Sequence, residues 1–171
     1  IDTADPSTAP IFGDGATASL INGAGHMQPG ELEVLRPVLS AKGEDGSLLR
    51  IPGDPNQPIF MEGPEVFRKA VSAMADILKE ACAESGIDPA ALELVVPHQA
   101  NQRIIDAVRQ RLKADKKRVF SMIDEMGNTS SSTIPFCLER LASTNDSSSL
   151  IGLTAFGGGF TFAGGVLRRL K

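Results

Sequence analysis

The chain has 171 residues, a formal net charge of −4 and 42% hydrophobic residues, enough for the core of a single domain. No apolar run reaches the roughly 18 to 20 residues of a membrane span, and an acidic chain has little general affinity for nucleic acid, so we expect neither membrane nor nucleic-acid binding. Two cysteines and two histidines exclude a disulfide framework and a cysteine-rich zinc site; they predict no metal ion and a reducing compartment, the cytoplasm.

The N-terminal stretch predicts a loop followed by a strand and a turn. The first ten residues are loop-like and begin with Ile1 rather than Met, which favours a chain that was processed or cut from something longer. Residues 13–18 formally match the dinucleotide pattern G-x-G-x-x-A, but that pattern binds a pyrophosphate only where it opens a helix. Residues 18–21 instead predict a short strand that ends in a turn at 22–23, so we reject the nucleotide interpretation.

Residues 37–63 and the stretch after them differ in pattern. Residues 37–63 are rich in Gly, Pro, Asp and Asn, which predicts strand fragments and loops. Apolar residues at three- and four-residue spacing then predict a helix from Pro64 to residue 85, ended by Gly86.

The rest of the chain alternates between strand and helix patterns. The predicted elements are a helical turn at 88–89, a buried strand at 92–96, a helix over 104–112, a strand at 119–122, a helix over 134–141 with Pro135 in its first turn, a strand at 150–156, a glycine turn at 157–159 and a strand at 160–167. This order predicts a layered α/β domain around a central sheet.

Three polar features follow the C-terminal ends of predicted strands: His98, Asn128 and the glycines at 157–159. Ligands bind at that edge of open α/β sheets. Taken singly, each has a plainer interpretation, namely a structural histidine, an ordinary turn and a hairpin. Together they offer one chemistry, because an imidazole kept neutral by the dipole of the following helix, a carboxamide and an unobstructed backbone amide are all uncharged donors. Three such donors around one point stabilise a developing oxyanion or enolate.

A basic segment covers residues 99–118. It carries seven basic residues against two acidic ones, a local charge of +5 on an acidic protein. Such a segment is either a solvated helix surface or a docking surface for an acidic partner or a phosphate. The residues alone leave both interpretations open.

Five stretches together carry a family resemblance: IFGDGATASLI (11–21), FMEGPEVFRKAV (60–71), VPHQANQRI (96–104), GNTSSSTIP (127–135) and AFGGGFTFAGGVLRR (155–169). In this order they resemble the C-terminal half of β-ketoacyl-acyl carrier protein synthase III, a condensing enzyme. The resemblance implies an α/β, layered thiolase-like fold. Residues 1–36 would be a strand-turn segment carrying the last strand of the N-terminal half, residues 37–63 a loop-rich connection, and residues 64–171 the C-terminal thiolase-like domain.

The resemblance also implies a reaction. A synthase of this family is an acyltransferase of fatty acid or polyketide biosynthesis that joins an acyl group from acyl-CoA to malonyl-acyl carrier protein by decarboxylative Claisen condensation, without a cofactor. His98 and Asn128 match the family's histidine and asparagine, which donate hydrogen bonds to the malonyl thioester carbonyl. Gly158 matches the glycine whose amide forms the oxyanion hole.

Three further matches concern binding. Asn101 and Phe67 match residues that line the family's pantetheine tunnel, and Arg103 matches a basic residue that contacts the acidic carrier protein. Acyl carrier protein thereby becomes the partner expected of the basic segment, and the resemblance implies a homodimer.

The cysteines depart from the family. Its nucleophilic cysteine lies in the N-terminal half, and neither Cys82 nor Cys137 matches it, because both fall inside helical patterns. We therefore expect the C-terminal portion of a synthase that needs the missing N-terminal half as a partner and is inactive alone in acyl transfer. Two alternatives stay open: a related ester-, alkylquinolone- or hydroxymethylglutaryl-forming synthase, and a non-catalytic half-fold scaffold. A serine hydrolase is disfavoured, because the sequence has no G-x-S-x-G.

Overall fold

The computed structural model describes residue 5, residues 8–54 and residues 57–171. Within these ranges the helices are α1 (Gly63–Glu84), α2 (Gln102–Leu112), α3 (Ile123–Met126) and α4 (Thr133–Ser143). The strands are β1 (Leu32–Val34), β2 (Val38–Ala41), β3 (Leu49–Arg50), β4 (Phe60–Met61), β5 (Leu94–Pro97), β6 (Leu150–Gly157) and β7 (Thr161–Arg169). None of the helices in the described ranges combines the length and the apolar character that a membrane-spanning segment requires.

Strand β7 organises a five-stranded mixed sheet. Along one edge it pairs antiparallel with β1 near its end and with β2 near its beginning, and along the other edge it pairs antiparallel with β6. Strand β5 lies parallel to β6, while β3 and β4 form a separate antiparallel pair. Because β5 and β6 run in the same direction, the loops that follow them leave the sheet at the same edge.

Helices cover both faces of this sheet. On one face, Leu94, Val96 and Ile151 pack with Cys137 and Leu141 of α4. On the other face, α1 packs directly on β7: a Cβ added at Gly164 would lie 2.4 Å from the carbonyl oxygen of Ile77. The helix α2 packs in turn against α1, where Met74 meets Ile104 and Val108. The layered α/β fold expected from the sequence is therefore confirmed.

The long elements agree with their sequence patterns. Helix α1 has Pro64 in its first turn and is followed by Gly86, whose φ of +67° favours glycine. The helices predicted over 104–112 and 134–141 form as α2 and α4, with Pro135 in the first turn of α4. The described residues between 37 and 63 form short strands and turns, as predicted, and the strands at 92–96, 150–156 and 160–167 form as β5, β6 and β7.

Two predicted short strands are wrong. Residues 13–23 form no strand, and the side chains of Leu20 and Ile21 are 87% and 81% exposed, because no strand among the described residues lies beside them. At 119–122 only Val119 bridges β5, and Met122 then donates its backbone N–H to the side chain of Gln99. The loop expected over the first ten residues falls partly outside the described residues.

Candidate active site

A cleft of about 940 Å³ opens where β5 and β6 end. All six residues that the sequence analysis selected line it: Phe67, His98, Asn101, Arg103, Asn128 and Gly158. Several apolar side chains complete its walls, among them Phe12, Met61 and Phe156. Residues from five parts of the chain thus meet around one apolar space, which is the usual form of a small-molecule site.

His98 follows β5 and is held on several sides. Its backbone N–H donates to the carbonyl oxygen of Thr154 at 2.8 Å, which ties the loop to β6. Its ring nitrogen Nδ1 lies 2.6 Å from Oγ1 of Thr133, and the ring meets Phe156 edge-on at 5.7 Å between centroids. These contacts give the imidazole one orientation in the wall of the cleft.

Burial keeps this imidazole neutral. His98 is 8% exposed, and the loss of hydration lowers its pKa from 6.5 to about 4. The dipole of the following helix, expected from the sequence to keep the ring neutral, is not the cause, since α2 begins four residues later at Gln102. Burial is the cause. At neutral pH the ring therefore carries a single N–H.

Asn128 presents the other side-chain donor. Its backbone bridges Phe12, accepting from the N–H of Gly13 at 3.1 Å and donating to Ile11 at 2.9 Å. Its side-chain Oδ1 accepts from the N–H of Ser130 at 2.9 Å. The amide nitrogen Nδ2 forms no hydrogen bond with the described residues, so it is the remaining donor of this cleft-lining side chain.

The glycines at 13 and 15 serve packing around Asn128. A Cβ at Gly13 would lie 2.0 Å from the carbonyl oxygen of Met126, and one at Gly15 would lie 2.7 Å from the ring of Phe136. No helix begins within residues 13–23. These glycines therefore allow the segment to lie close to the Asn128 loop, and the rejected nucleotide interpretation has no structural support.

The glycine turn borders the same cleft. Gly158 lies between β6 and β7, and its carbonyl oxygen accepts from the hydroxyl of Thr161 at 3.1 Å. Gly159 has φ +128°, which favours glycine there. A Cβ at Gly158 would lie 3.2 Å from the carbonyl oxygen of Leu49, so a side chain at 158 would crowd the neighbouring strand.

The remaining three selected residues lie towards the side of the cleft formed by α1 and α2. Phe67, on α1, packs with the cluster around Met74 and Ile104. Asn101 caps α2, accepting from the N–H of Arg103 at 2.8 Å through its side-chain oxygen. The side chain of Arg103 is exposed in the first turn of the helix. An apolar wall and a positive rim thus adjoin each other.

The basic segment is only partly available to a partner. Arg111 pairs with Asp76 at 3.3 Å, and the guanidinium of Arg118 donates to the carbonyl oxygens of Ala90 and Leu92. Among the described residues, Arg103 and Lys113 have neither an ion pair nor a side-chain hydrogen bond. Structural contacts therefore account for part of the charge, and of the two unpaired residues Arg103 lines the cleft.

Neither cysteine has the environment of a nucleophile. Cys82 and Cys137 are free and fully buried, and burial raises their thiol pKa values to about 11 and about 12. Neither side chain lines the cleft. Both act as packing residues of α1 and α4, as their sequence pattern indicates. In the part of the chain that the structure describes, no three His, Cys, Asp or Glu side chains gather into a metal-binding group.

Two residues that the sequence patterns did not mark, Thr133 and Gln99, connect the loops of the site. The fully buried carboxamide of Gln99 donates to the carbonyl oxygen of Pro97 at 2.6 Å and accepts from the N–H of Met122 at 3.0 Å, which ties the His98 loop to the chain leading to Asn128. Thr133 joins the same two loops through the His98 ring. Both residues lie in quoted motifs, but their partners are 23 and 35 residues away, so no local signal marks them.

Comparisons with known proteins point to one family. The family described as 3-oxoacyl-[acyl-carrier-protein] synthase III C terminal matches residues 82–169. The β-ketoacyl-[acyl-carrier-protein] synthase III of Chlamydia trachomatis is 36% identical over an alignment that covers 97% of this chain and 54% of the relative. The β-ketoacyl-[acyl-carrier-protein] synthase III of Citrobacter koseri is 37% identical over an alignment that covers 98% of this chain and 54% of the relative.

The solved structure of 3-oxoacyl-[acyl-carrier-protein] synthase III from Aquifex aeolicus has the same fold. It superimposes with a TM-score of 0.83 at 35% identity, covering 98% of this chain and 53% of the other. The chain spans about half the length of the curated relatives that it matches.

Proposed function

The chain belongs to the C-terminal family of 3-oxoacyl-[acyl-carrier-protein] synthase III, and on that premise we propose that it supplies the groups with which such a synthase decarboxylates a malonyl thioester. The observation that carries the proposal is the cleft in which two uncharged N–H donors, on His98 and Asn128, share one apolar space. Uncharged donors suit this reaction, because they stabilise negative charge on a carbonyl oxygen without giving up a proton.

The chemistry follows from what these donors can do. When the bond between the malonyl α-carbon and its carboxylate breaks, CO2 leaves and the electron pair stays behind as an enolate on the thioester oxygen. Hydrogen bonds from His98 and Asn128 to that oxygen strengthen as the charge develops, so they lower the barrier rather than merely bind substrate. The enolate carbon then attacks an acyl thioester carbonyl and expels its thiolate, which completes a Claisen condensation.

The acyl thioester in that step needs a cysteine that these 171 residues do not offer at the cleft. We propose that a cysteine outside them, in an N-terminal half, takes the acyl group from acyl-CoA, and that the amide of Gly158 donates to the oxyanion formed during this transfer. Cys82 and Cys137 stay protonated at neutral pH because of burial. Incubated with acyl-CoA, neither is expected to form a thioester detectable by mass spectrometry, and an acylated Cys82 or Cys137 would contradict this division.

Binding of the thioester is assigned to the rim. The apolar wall at Phe67 and the polar side chain of Asn101 suit a pantetheine arm, and the exposed Arg103 suits the acidic carrier protein at its end. The proposal includes a homodimeric enzyme of fatty acid or polyketide biosynthesis in the cytoplasm, where two free thiols stay reduced. The division into residues 1–36, 37–63 and 64–171 stays a prediction; β1, inside the first segment, pairs with β7.

Release of CO2 from malonyl-CoA tests the proposal, because this step needs the two donors and no cysteine. We expect the protein to accelerate it, and His98→Ala and Asn128→Ala each to reduce the acceleration by about 10²- to 10³-fold, the effect of one lost oxyanion donor. His26→Ala and Asn22→Ala are the matched controls, since both side chains are exposed and neither lines the cleft.

The outcomes separate the proposal from its alternatives. Wild-type acceleration that survives both cleft substitutions would contradict the assigned roles. A protein without any acceleration would favour the non-catalytic half-fold scaffold. Decarboxylation followed by a product other than a β-ketoacyl thioester, once acyl-CoA and the cysteine-bearing half are supplied, would favour one of the related ester-, alkylquinolone- or hydroxymethylglutaryl-forming synthases.

A further inference from the structure

Thr133 brings a buried hydroxyl to the His98 ring. It is the first residue of α4, five positions after Asn128, and is 1% exposed. Its Oγ1 lies 2.6 Å from Nδ1 of His98, a distance that only a hydrogen bond explains. Either Nδ1 carries a proton and donates to the hydroxyl, or the hydroxyl donates to a bare Nδ1.

Counting donors and acceptors decides between these two arrangements. If Nδ1 donated to Oγ1, the hydroxyl hydrogen would need a different acceptor, since leaving a buried hydroxyl without one destabilises the folded protein. Among the described residues, Oγ1 forms no other hydrogen bond. The hydroxyl therefore donates to Nδ1, and the single proton of the neutral ring lies on Nε2.

The other ring nitrogen faces the cleft. Nε2 forms no hydrogen bond with the described residues. It is also not among their solvent-inaccessible polar atoms that lack a partner, so it is accessible. His98 lines the cleft, so the accessible Nε2 opens onto that space. A proton on Nε2 makes His98 a donor towards a bound ligand, whereas a proton on Nδ1 would present a lone pair that repels a carbonyl oxygen.

We infer that Thr133 is a positioning residue, whose hydroxyl holds His98 in the tautomer with its proton on Nε2 and thereby makes the ring a donor to the thioester oxygen. This role rests on the proposed function and specifies which nitrogen performs it. It also couples the two donors, because only Thr129 and the 3₁₀ turn Ser130–Ser132 separate Asn128 from Thr133. A shift of this stretch would move Asn128 and release the His98 tautomer together.

Nitrogen-15 NMR of the imidazole rings reads the tautomer directly, in the protein without substrate at pH 7. The chain has only two histidines, so in the His26→Gln variant all imidazole signals come from His98. We expect a protonated, pyrrole-type Nε2 and an unprotonated, pyridine-type Nδ1 that resonates far downfield. The reverse assignment would overturn the inference, whatever the activity of the protein.

Two substitutions test whether Thr133 is the cause. Thr133→Val keeps the shape but removes the hydroxyl, so we expect both tautomers to appear and kcat for malonyl-CoA decarboxylation to fall by up to about 10²-fold with little change in KM. Thr133→Ser keeps the hydroxyl and should restore the wild-type spectrum and most of kcat. An unchanged spectrum in Thr133→Val would overturn the inference, as would both tautomers in Thr133→Ser.

If Thr133→Val does not fold, the nitrogen-15 spectra of the wild type and of Thr133→Ser still test the inference. They also separate this role from the proposed function. Should the wild-type ring carry its proton on Nε2 while His98→Ala leaves decarboxylation unchanged, the Thr133 assignment stands and the proposed function fails.

Discussion

Two stretches with strand-like sequences end in opposite environments. Residues 94–97 are buried throughout, between β6 and two helical layers, whereas Leu20 and Ile21 of the stretch 18–21 are 87% and 81% exposed and belong to no strand. Both stretches contain branched apolar side chains, which are typical of strands. The difference lies in the neighbours: β5 pairs along its length with β6, and residues 18–21 have no strand beside them in the described chain. A β-strand therefore forms only where a second strand is available to pair with it.

The same contrast extends to chemistry. His98 follows the buried stretch and acquires a fixed ring orientation and a pKa near 4, while His26 lies on the exposed segment after residues 18–21. Burial turns an ordinary histidine into a neutral donor because the folded environment penalises the charged ring. Neighbours therefore determine function as well as secondary structure.

The largest expected change in stability comes from truncating a buried isoleucine, and an exposed isoleucine serves as its comparison. Ile151 is fully buried on β6 next to β5, so Ile151→Ala should lower the free energy of unfolding by about 2 to 5 kcal/mol through lost burial and a new cavity. Ile21→Ala should change it by less than about 0.5 kcal/mol. Urea unfolding monitored by circular dichroism measures both. Similar losses for the two variants would mean that the 18–21 stretch is covered in solution.

The pH dependence of stability sharpens the contrast at His98. The ring takes up a proton near pH 6.5 in the unfolded chain but near pH 4 when folded, so the unfolded state binds more protons between these values. Stability should therefore fall as the pH drops from 6.5 to 4, by about 3 kcal/mol at most, and this group should contribute nothing above that window.

His98→Gln supplies the control for this pH dependence, since glutamine stays neutral throughout. The carboxylates titrate alike in both proteins, and the difference between their pH–stability curves isolates the imidazole. Parallel curves between pH 6.5 and 4 would show that the ring is not buried as the structure describes.

A smaller effect is expected from adjacent glycines of β7. A Cβ at Gly164 would lie 2.4 Å from the Ile77 carbonyl oxygen in α1, whereas one at Gly165 meets nothing within 4 Å. Gly164→Ala should therefore cost about 1 to 3 kcal/mol of unfolding free energy through overpacking. Gly165→Ala should stay within about 0.5 kcal/mol of wild type. Equal effects would contradict the close packing of α1 on the sheet, and thermal or urea unfolding reports both.

Much of the fold could be predicted from local patterns. The three-to-four-residue spacing of apolar side chains predicts α1, α2 and α4, and the apolar runs between them predict β5, β6 and β7. The candidate site follows in part. Asn128 lines the cleft, but the strand at 119–122 from which it was selected does not form. His98 and Gly158 follow directly on β5 and β6, and that position in the sequence points to one edge of the sheet. These features depend on neighbours in sequence, and so the sequence by itself determined them.

Tertiary structure alone decided what depends on distant partners. Pairing of β1 and β2 with β7 joins residues at least 120 positions apart, and the absence of strands at 18–21 and 119–122 follows from missing or interrupted pairing. The link between Thr133 and His98 and the depth of burial that lowers the histidine's pKa are equally non-local. The spacing of apolar residues along the sequence shows which side chains form the hydrophobic face of an element. Hydrogen-bond partners and exclusion of solvent arise only when segments distant in sequence pack together.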